Sequence, residues 1–339
     1  MQKKLFIGVD FSKNKLDVTA MYGIEQKSFL QETFENEEKG YKSLLRWLSR
    51  GAKIKREDWQ FCGEHTGLYS RGLSNFLFKK KLDMWLENPL QIKRSWGIKR
   101  IKNDRIDSLE IARYAMRFAD RVVSYKPESK EIASLRLLFS YRNRLVKTRV
   151  ALEVAAKEMR RVIWRDATSR FIFEDSHGEA ERIKKRIAAL ETKMHQLIMD
   201  SELRRSYLLV CSIKGVGMIT AVALIIHTSN FASFESARQL ACYCGCAPFA
   251  NQSGMMDKGA HISSLANREL KVLLTQCARC AASHNAELRA YYRRKKAEGK
   301  KDSVVINNIR NKLVHRIFAV IKSGIPYSEN YLYPLTETA

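Results

Sequence analysis

Apolar residues arrive in short runs over the first ninety or so positions, and their rhythm changes several times. Residues 4–10, KLFIGVD, form an apolar run that ends on an acid, the pattern of a buried strand. Residues 15–21, KLDVTAM, alternate, and so do residues 26–33. The short segments Phe11–Asn14 and Tyr22–Ile24 between them predict the turns of an antiparallel meander. Asn36 is a ready helix cap, and Leu44, Leu45 and Leu48 then share one face of a helix running to about Arg50. WQFCGEHT predicts a fourth strand ending near Glu64, Gly67–Lys80 a helix, and LDMWLE a fifth strand. Three hairpin-connected strands followed by alternating helix and strand is the order of a ribonuclease-H-like α/β fold.

The rhythm then becomes helical. Asp104–Ala119 predicts a helix with Ile106, Leu109, Ile111, Ala112, Ala115 and Met116 as apolar positions, and Pro127 breaks the pattern. Residues 128–165 and 174–202 predict two long polar helices, an antiparallel coiled-coil arm suited to association. A second globular part opens near Tyr207, where LLVCSIKGVGMITAVALII reads as helix, tight Gly turn, helix. Residues 235–244, 266–283 and 303–323 predict further helices, and CGCAPFANQSGMMDKGAHISS between the first two predicts a loop. The expected division is residues 1–126, an α/β domain; 127–205, the helical arm; and 206–339, a mostly helical C-terminal domain. No apolar stretch reaches the roughly 18 residues of a membrane helix. MQKKLFIGVD lacks the layout of a signal peptide, which predicts a cytoplasmic chain.

Charge narrows the function. Lys and Arg number 61 against 36 Asp and Glu, a formal net charge of +25 over 339 residues. Such an excess is costly unless a polyanion neutralises it, and nucleic acid releases counterions when it does. The surplus is concentrated in residues 79–105, nine basic against three acidic with Trp85 and Trp96 between them, and in residues 289–301, seven against one. Lys99, Arg100, Lys102, Arg293 and Arg294 are the candidate contacts. The seven cysteines predict free thiols in a reducing compartment. Cys242, Cys244, Cys246, Cys277 and Cys280 cluster late; they fit either a zinc site with unusual spacing or buried small hydrophobes.

Three constellations carry chemistry. Asp10 ends the first predicted strand, Glu64 ends the fourth, and Asp104 and Asp107, on one helix face, open a helix. In a ribonuclease-H-like sheet the ends of strands one and four are neighbours, so the four carboxylates converge. Packed together they repel; oxygen donors of this kind hold Mg²⁺ or Mn²⁺, and two such ions serve phosphodiester cleavage. Singly, a strand-end Asp is also a turn residue and Asp104 also a cap. In Gln252-Ser253-Gly254, Ser253 is a candidate nucleophile toward phosphorus, although Ser-Gly is equally the composition of a plain turn. Lys214-Gly215-Val216-Gly217 has the form of a helix-hairpin-helix turn whose N–H groups can hold a phosphate, or of a turn with no ligand.

GVDFSKNKLDV, GEHTGLYS, KNDRIDSLEIARYA, CSIKGVGMITA, and CGCAPFANQSG with HISSLANRELK occur in this order over residues 4–283. Together they resemble the DEDD-class insertion-sequence transposases, the bridge-RNA-guided recombinases related to Piv-type DNA invertases. The resemblance implies a RuvC-like N-terminal domain with Asp10, Glu64, Asp104 and Asp107 as its acidic tetrad and Ser253 as nucleophile. It also implies an arm supporting dimers and tetramers, a metal site in one subunit completed by the serine of another, and a structured guide RNA pairing with donor and target DNA. The sequence departs from the family pattern at Asn103, at Ser264-Leu265-Ala266-Asn267 and in the cysteine-rich 242–246. The competing functions are a junction-resolving metal nuclease, which needs the acids but not Ser253, and a non-catalytic nucleic-acid-binding protein, which needs neither.

Overall fold

The computed structural model describes residues 5–22, 29–52, 54–95, 104–163, 166–253, 256–262 and 265–328. For residues 104–105, 162–163, 249–253 and 256–262 it describes the backbone alone. The chain divides into two compact units, Met1–Pro127 and Glu128–Ala339.

The first unit is built on a five-stranded sheet: β1 (Leu5–Phe11), β2 (Lys15–Met21), β3 (Phe29–Glu35), β4 (Trp59–Glu64) and β5 (Asp83–Glu87). The order across the sheet is β3-β2-β1-β4-β5. β1 runs antiparallel to β2 and parallel to β4, β2 antiparallel to β3, and β4 parallel to β5. This mixed arrangement is consistent with the expected ribonuclease-H-like fold. Alternation puts Leu5, Ile7, Val9, Leu16, Val18, Trp59 and Phe61 on one face. There they pack with Leu44, Leu45 and Leu48 of α1 (Glu38–Gly51) and Leu73 and Leu77 of α2 (Leu68–Lys79). The other face carries Phe6, Met21, Cys62 and Trp85. After the short α3 (Pro89–Arg94), α4 (Asp104–Arg117) covers that face with Ile111, Ala112, Tyr114 and Ala115.

Asn36 does not cap α1 as expected. The cap position is Glu37, which makes no side-chain cap bond. The Asn36 amide instead donates to the carbonyls of Ser12 (2.8 Å) and Tyr69 (3.0 Å) and accepts from the Tyr41 hydroxyl (2.7 Å). These bonds tie the β1–β2 turn to the start of α2 and use the half-buried Asn36 amide more fully than a single helix N–H would.

The second unit opens with two long helices, α5 (Lys130–Ile163) and α6 (Ala167–Met199), packed antiparallel. Leu145 meets Ile183 and Ile187 between them, and Arg142 bridges to Glu191 at 2.8 Å. α6 starts seven residues earlier than the polar pattern suggests, because Asp166 caps it through the Ser169 N–H at 2.8 Å. Next come α7 (Leu203–Cys211), α8 (Met218–His227) and α9 (Ala237–Tyr243). α8 is apolar all round, and Ala221–Ile226 are all buried at the centre of the unit's core. The stretch expected as a loop contains a hairpin, β6 (Pro248–Ser253) paired antiparallel with β7 (Met256–Ile262). α10 (Arg268–His284), α11 (Ala286–Ala297) and α12 (Asp302–Ser323) complete the unit.

Candidate active site

The acids are placed by register. Val9 of β1 pairs in parallel with Gly63 of β4, so Asp10 and Glu64 follow on the next rung at the ends of adjacent strands. Asp10 lies two residues beyond Gly8, whose face is crossed by α4, and Glu64 lies two beyond Cys62 of the α4-side core. Both therefore belong to the face that α4 covers. α4 is held there tightly: a Cβ on Gly8 would stand 2.1 Å from the Ser108 carbonyl oxygen and 2.3 Å from the Ala112 nitrogen. The Ser108 hydroxyl lies 2.8 Å from Thr19 Oγ1 of β2. Asp107, half-buried, immediately precedes Ser108, and Asp104 is the first residue of α4 with its side chain outside the described residues. Among the described residues no group of three His, Cys, Asp or Glu side chains is close enough to hold a metal ion.

Two further acids stand on the same row and escaped sequence reasoning. Glu87 ends β5 opposite Glu64. One of its oxygens accepts from the Tyr114 hydroxyl at 3.2 Å, the other from the Asn88 N–H at 2.7 Å. Burial, then Glu87, pushes the Tyr114 hydroxyl up to about 12. Asp17 faces Asp10 across β2 and is buried, with Lys15 Nζ at 2.9 Å and the Thr33 hydroxyl at 2.7 Å. The only signal for either was its position in a predicted strand.

Ser253 is the last residue of β6 and pairs with Met256 across the turn, and Gln252 pairs with Asp257. The serine backbone thus sits at a hairpin tip; its side chain and that of Gln252, and all of Gly254, lie outside the described residues. Lys214 is exposed in the turn between α7 and α8. Gly215 there has φ +97°, and a Cβ on it would lie 2.9 Å from the Ala281 Cβ, so a tight turn against α10 requires glycine. Gly217 precedes α8 with open space beside it. Lys99, Arg100 and Lys102 lie outside the described residues. Arg293 and Arg294 are exposed on α11, where the Arg294 guanidinium and Lys312 Nζ lie 5.6 and 5.0 Å from the Tyr291 ring centre. Cys244, Cys246 and Cys277 are buried in the helical core, Cys242 is half-buried, and Cys280 is exposed.

Residues 7–161 match the DEDD transposase domain of the IS110 type, described as "Transposase", and residues 207–293 match the "Transposase IS116/IS110/IS902 family". The pilin gene-inverting protein of Moraxella bovis is 26% identical over 336 residues, 96% of this chain and 98% of that one. That of Moraxella lacunata is similar to the same extent. The transposase for insertion sequence element IS1111A of Coxiella burnetii is 26% identical over 300 residues, 82% of this chain and 78% of its own length. The strand-end acids on a five-stranded sheet and these matches define a DNA recombinase of the transposase class. Within that class, the chain belongs to the DEDD-class IS110 transposases. Such transposases are typically metal-dependent.

Proposed function

We propose that this chain excises and inserts a mobile DNA element, with Ser253 as the nucleophile and Asp10, Glu64, Asp104 and Asp107 as the metal-binding tetrad of a RuvC-like domain. One observation supports this best: Asp10 and Glu64 share a rung beneath the helix that opens with Asp104, while a separate hairpin carries Ser253 at its tip. An all-carboxylate donor set suits a hard divalent cation, Mg²⁺ or Mn²⁺. When bound, such an ion stabilises charge on the scissile phosphate.

The chain's own part is nucleophilic. The Ser253 oxygen loses its proton and bonds to phosphorus, the bond from phosphorus to the 3′ oxygen breaks, and that oxygen leaves as a 3′-hydroxyl after taking up a proton. The strand's 5′ phosphate stays on serine, and attack by another 3′-hydroxyl reverses the step. Hydrolysis would discard that bond.

The basic surplus, with Lys99, Arg100, Lys102, Arg293 and Arg294, serves double-stranded donor and target DNA and a structured guide RNA. The Lys214, Gly215 and Gly217 turn, of helix-hairpin-helix form, and Gln252 and Gly254 beside the serine contact phosphate. The parts are a catalytic domain over residues 1–126, a coiled-coil arm over 127–205 that supports dimers and tetramers, and the serine-bearing domain over 206–339. The serine of one subunit completes the metal site of another.

DNA trapped in mid-reaction should migrate with the protein on a denaturing gel. Ser253→Ala should abolish both the adduct and the recombinant product, and Asp10→Asn should abolish cleavage while sparing DNA binding. Unchanged cutting by Ser253→Ala without any adduct would make water the nucleophile and the protein a junction-resolving nuclease. Metal-dependent cutting by Asp10→Asn would remove the tetrad.

A further inference from the structure

The segment that carries the Ser253 hairpin is bounded by two bonded residues, five positions before β6 and five after β7. Tyr243 ends α9, and Asn267 caps α10. The Asn267 backbone N–H donates to the Tyr243 carbonyl at 2.8 Å, and its side-chain amide donates to the Tyr243 hydroxyl at 3.0 Å. The same amide nitrogen lies 3.2 Å from His227 Nδ1, and Oδ1 accepts from the Leu270 N–H at 3.0 Å. Every polar atom of the Asn267 side chain is thereby used. With Nδ1 accepting, His227 carries its proton on Nε2, which donates to Glu269 Oε2 at 2.9 Å. Glu269 Oε1 accepts from Asn143 of α5 at 2.6 Å. The chain of bonds thus runs from a long helix of the arm, through the ends of α8 and α9, to the foot of the hairpin. On the other limb, Asn307 of α12 donates to the Cys246 carbonyl at 3.1 Å.

We infer that Asn267 and His227 are positioning residues for Ser253, fixing the foot of its hairpin so that the tip meets DNA in attack geometry. This rests on the reading of Ser253 as nucleophile. An isolated two-stranded hairpin is marginally stable in water, so its pose is set by whatever holds its ends. Attack on phosphorus is unforgiving: a displacement of about 1 Å can cost on the order of 10²-fold in rate. The network acts on the chemical step, because none of its side chains needs to touch DNA. Through Asn143 it also links the arm to the serine.

The test measures the single-turnover rate of protein–DNA adduct formation at saturating DNA, beside the DNA affinity. Asn267→Ser keeps a good helix cap but cannot reach His227 or Tyr243. His227→Leu removes the acceptor, whereas His227→Asn puts an amide oxygen where Nδ1 stands. Asn267→Ser and His227→Leu should slow the adduct about tenfold or more with affinity changed less than about twofold, and His227→Asn should recover most of the rate. If Asn267→Ser fails to fold, the two His227 variants carry the same comparison on an intact cap. Adduct formation at the wild-type rate by Asn267→Ser or His227→Leu, a loss of affinity that accounts for the slower rate, or a His227→Asn variant as slow as His227→Leu would overturn the inference alone. A wild-type protein that cuts DNA but never forms an adduct would overturn the serine reading, and this inference with it.

Discussion

A single methyl group at position 8 would stand where α4 crosses β1. The atoms it would meet, the Ser108 carbonyl oxygen at 2.1 Å and the Ala112 nitrogen at 2.3 Å, are backbone and cannot rotate aside. Gly8→Ala must therefore lift α4, at a cost of about 1–3 kcal/mol for overpacking. The lifted turn carries Asp104 and Asp107, so cleavage should fall further than stability alone explains, while DNA affinity stays. A denaturant midpoint and a cleavage rate both equal to wild type would show that α4 does not depend on this contact. The neighbouring Asp17 shows why burial by itself does not mark a catalytic acid. It lies on the same row as Asp10 and is held by Lys15 and the Thr33 hydroxyl. Asp10 and Glu64 were legible because each ends an apolar run. Glu87 was not, because its relation to Glu64 exists only once β4 and β5 pair.

At the scale of elements, thiol chemistry reports how the helices of the second unit pack. Cys244, Cys246 and Cys277 sit in the core formed with α8, α10 and α12, and burial pushes the Cys246 thiol up to about 11 and raises the other two. A raised thiol pKa lowers the reactive thiolate fraction at any pH below it. At pH 8 an alkylating reagent should modify exposed Cys280 first and leave those three intact until denaturant is added. Modification of Cys246 at the rate of Cys280 in the native protein would contradict this packing.

The sheet and most helices were readable because their apolar spacing matches a period of 2 or 3.6. β6 and β7 were not, because CGCAPFANQSGMMDKGAHI has no clean alternation and carries Pro248 and Gly254 among its turn formers. α11 was read only as a basic stretch: it buries Leu288 alone, and its start is fixed by Asn285 capping the Leu288 N–H at 2.9 Å. The network around His227 lay beyond sequence reading altogether. Its partners are 24 to 126 positions apart, and nothing local distinguishes His227 from an ordinary helix-end histidine.

For the whole molecule the governing quantity is charge. A formal +25 is a strong attraction for a polyphosphate, whereas the row of the first sheet that holds Asp10 and Glu64 is acidic. Affinity should then come from the basic tracts, and not from the acids. No helix among the described residues is long and apolar enough to cross a membrane. Six or more phosphate contacts would lower DNA affinity about 10³-fold or more between 50 and 200 mM salt. Replacing Arg293 and Arg294 together by Gln should reduce the slope of log affinity against log salt by about two, nearly one for each lost contact, whatever the DNA sequence. Asp10→Asn should leave that slope unchanged, because it removes a negative charge that makes no phosphate contact of its own. A flat salt response in the wild-type protein would rule out counterion release as the source of affinity. An unchanged slope in the double arginine variant would move the phosphate contacts away from α11 to other basic residues, foremost those of 79–105.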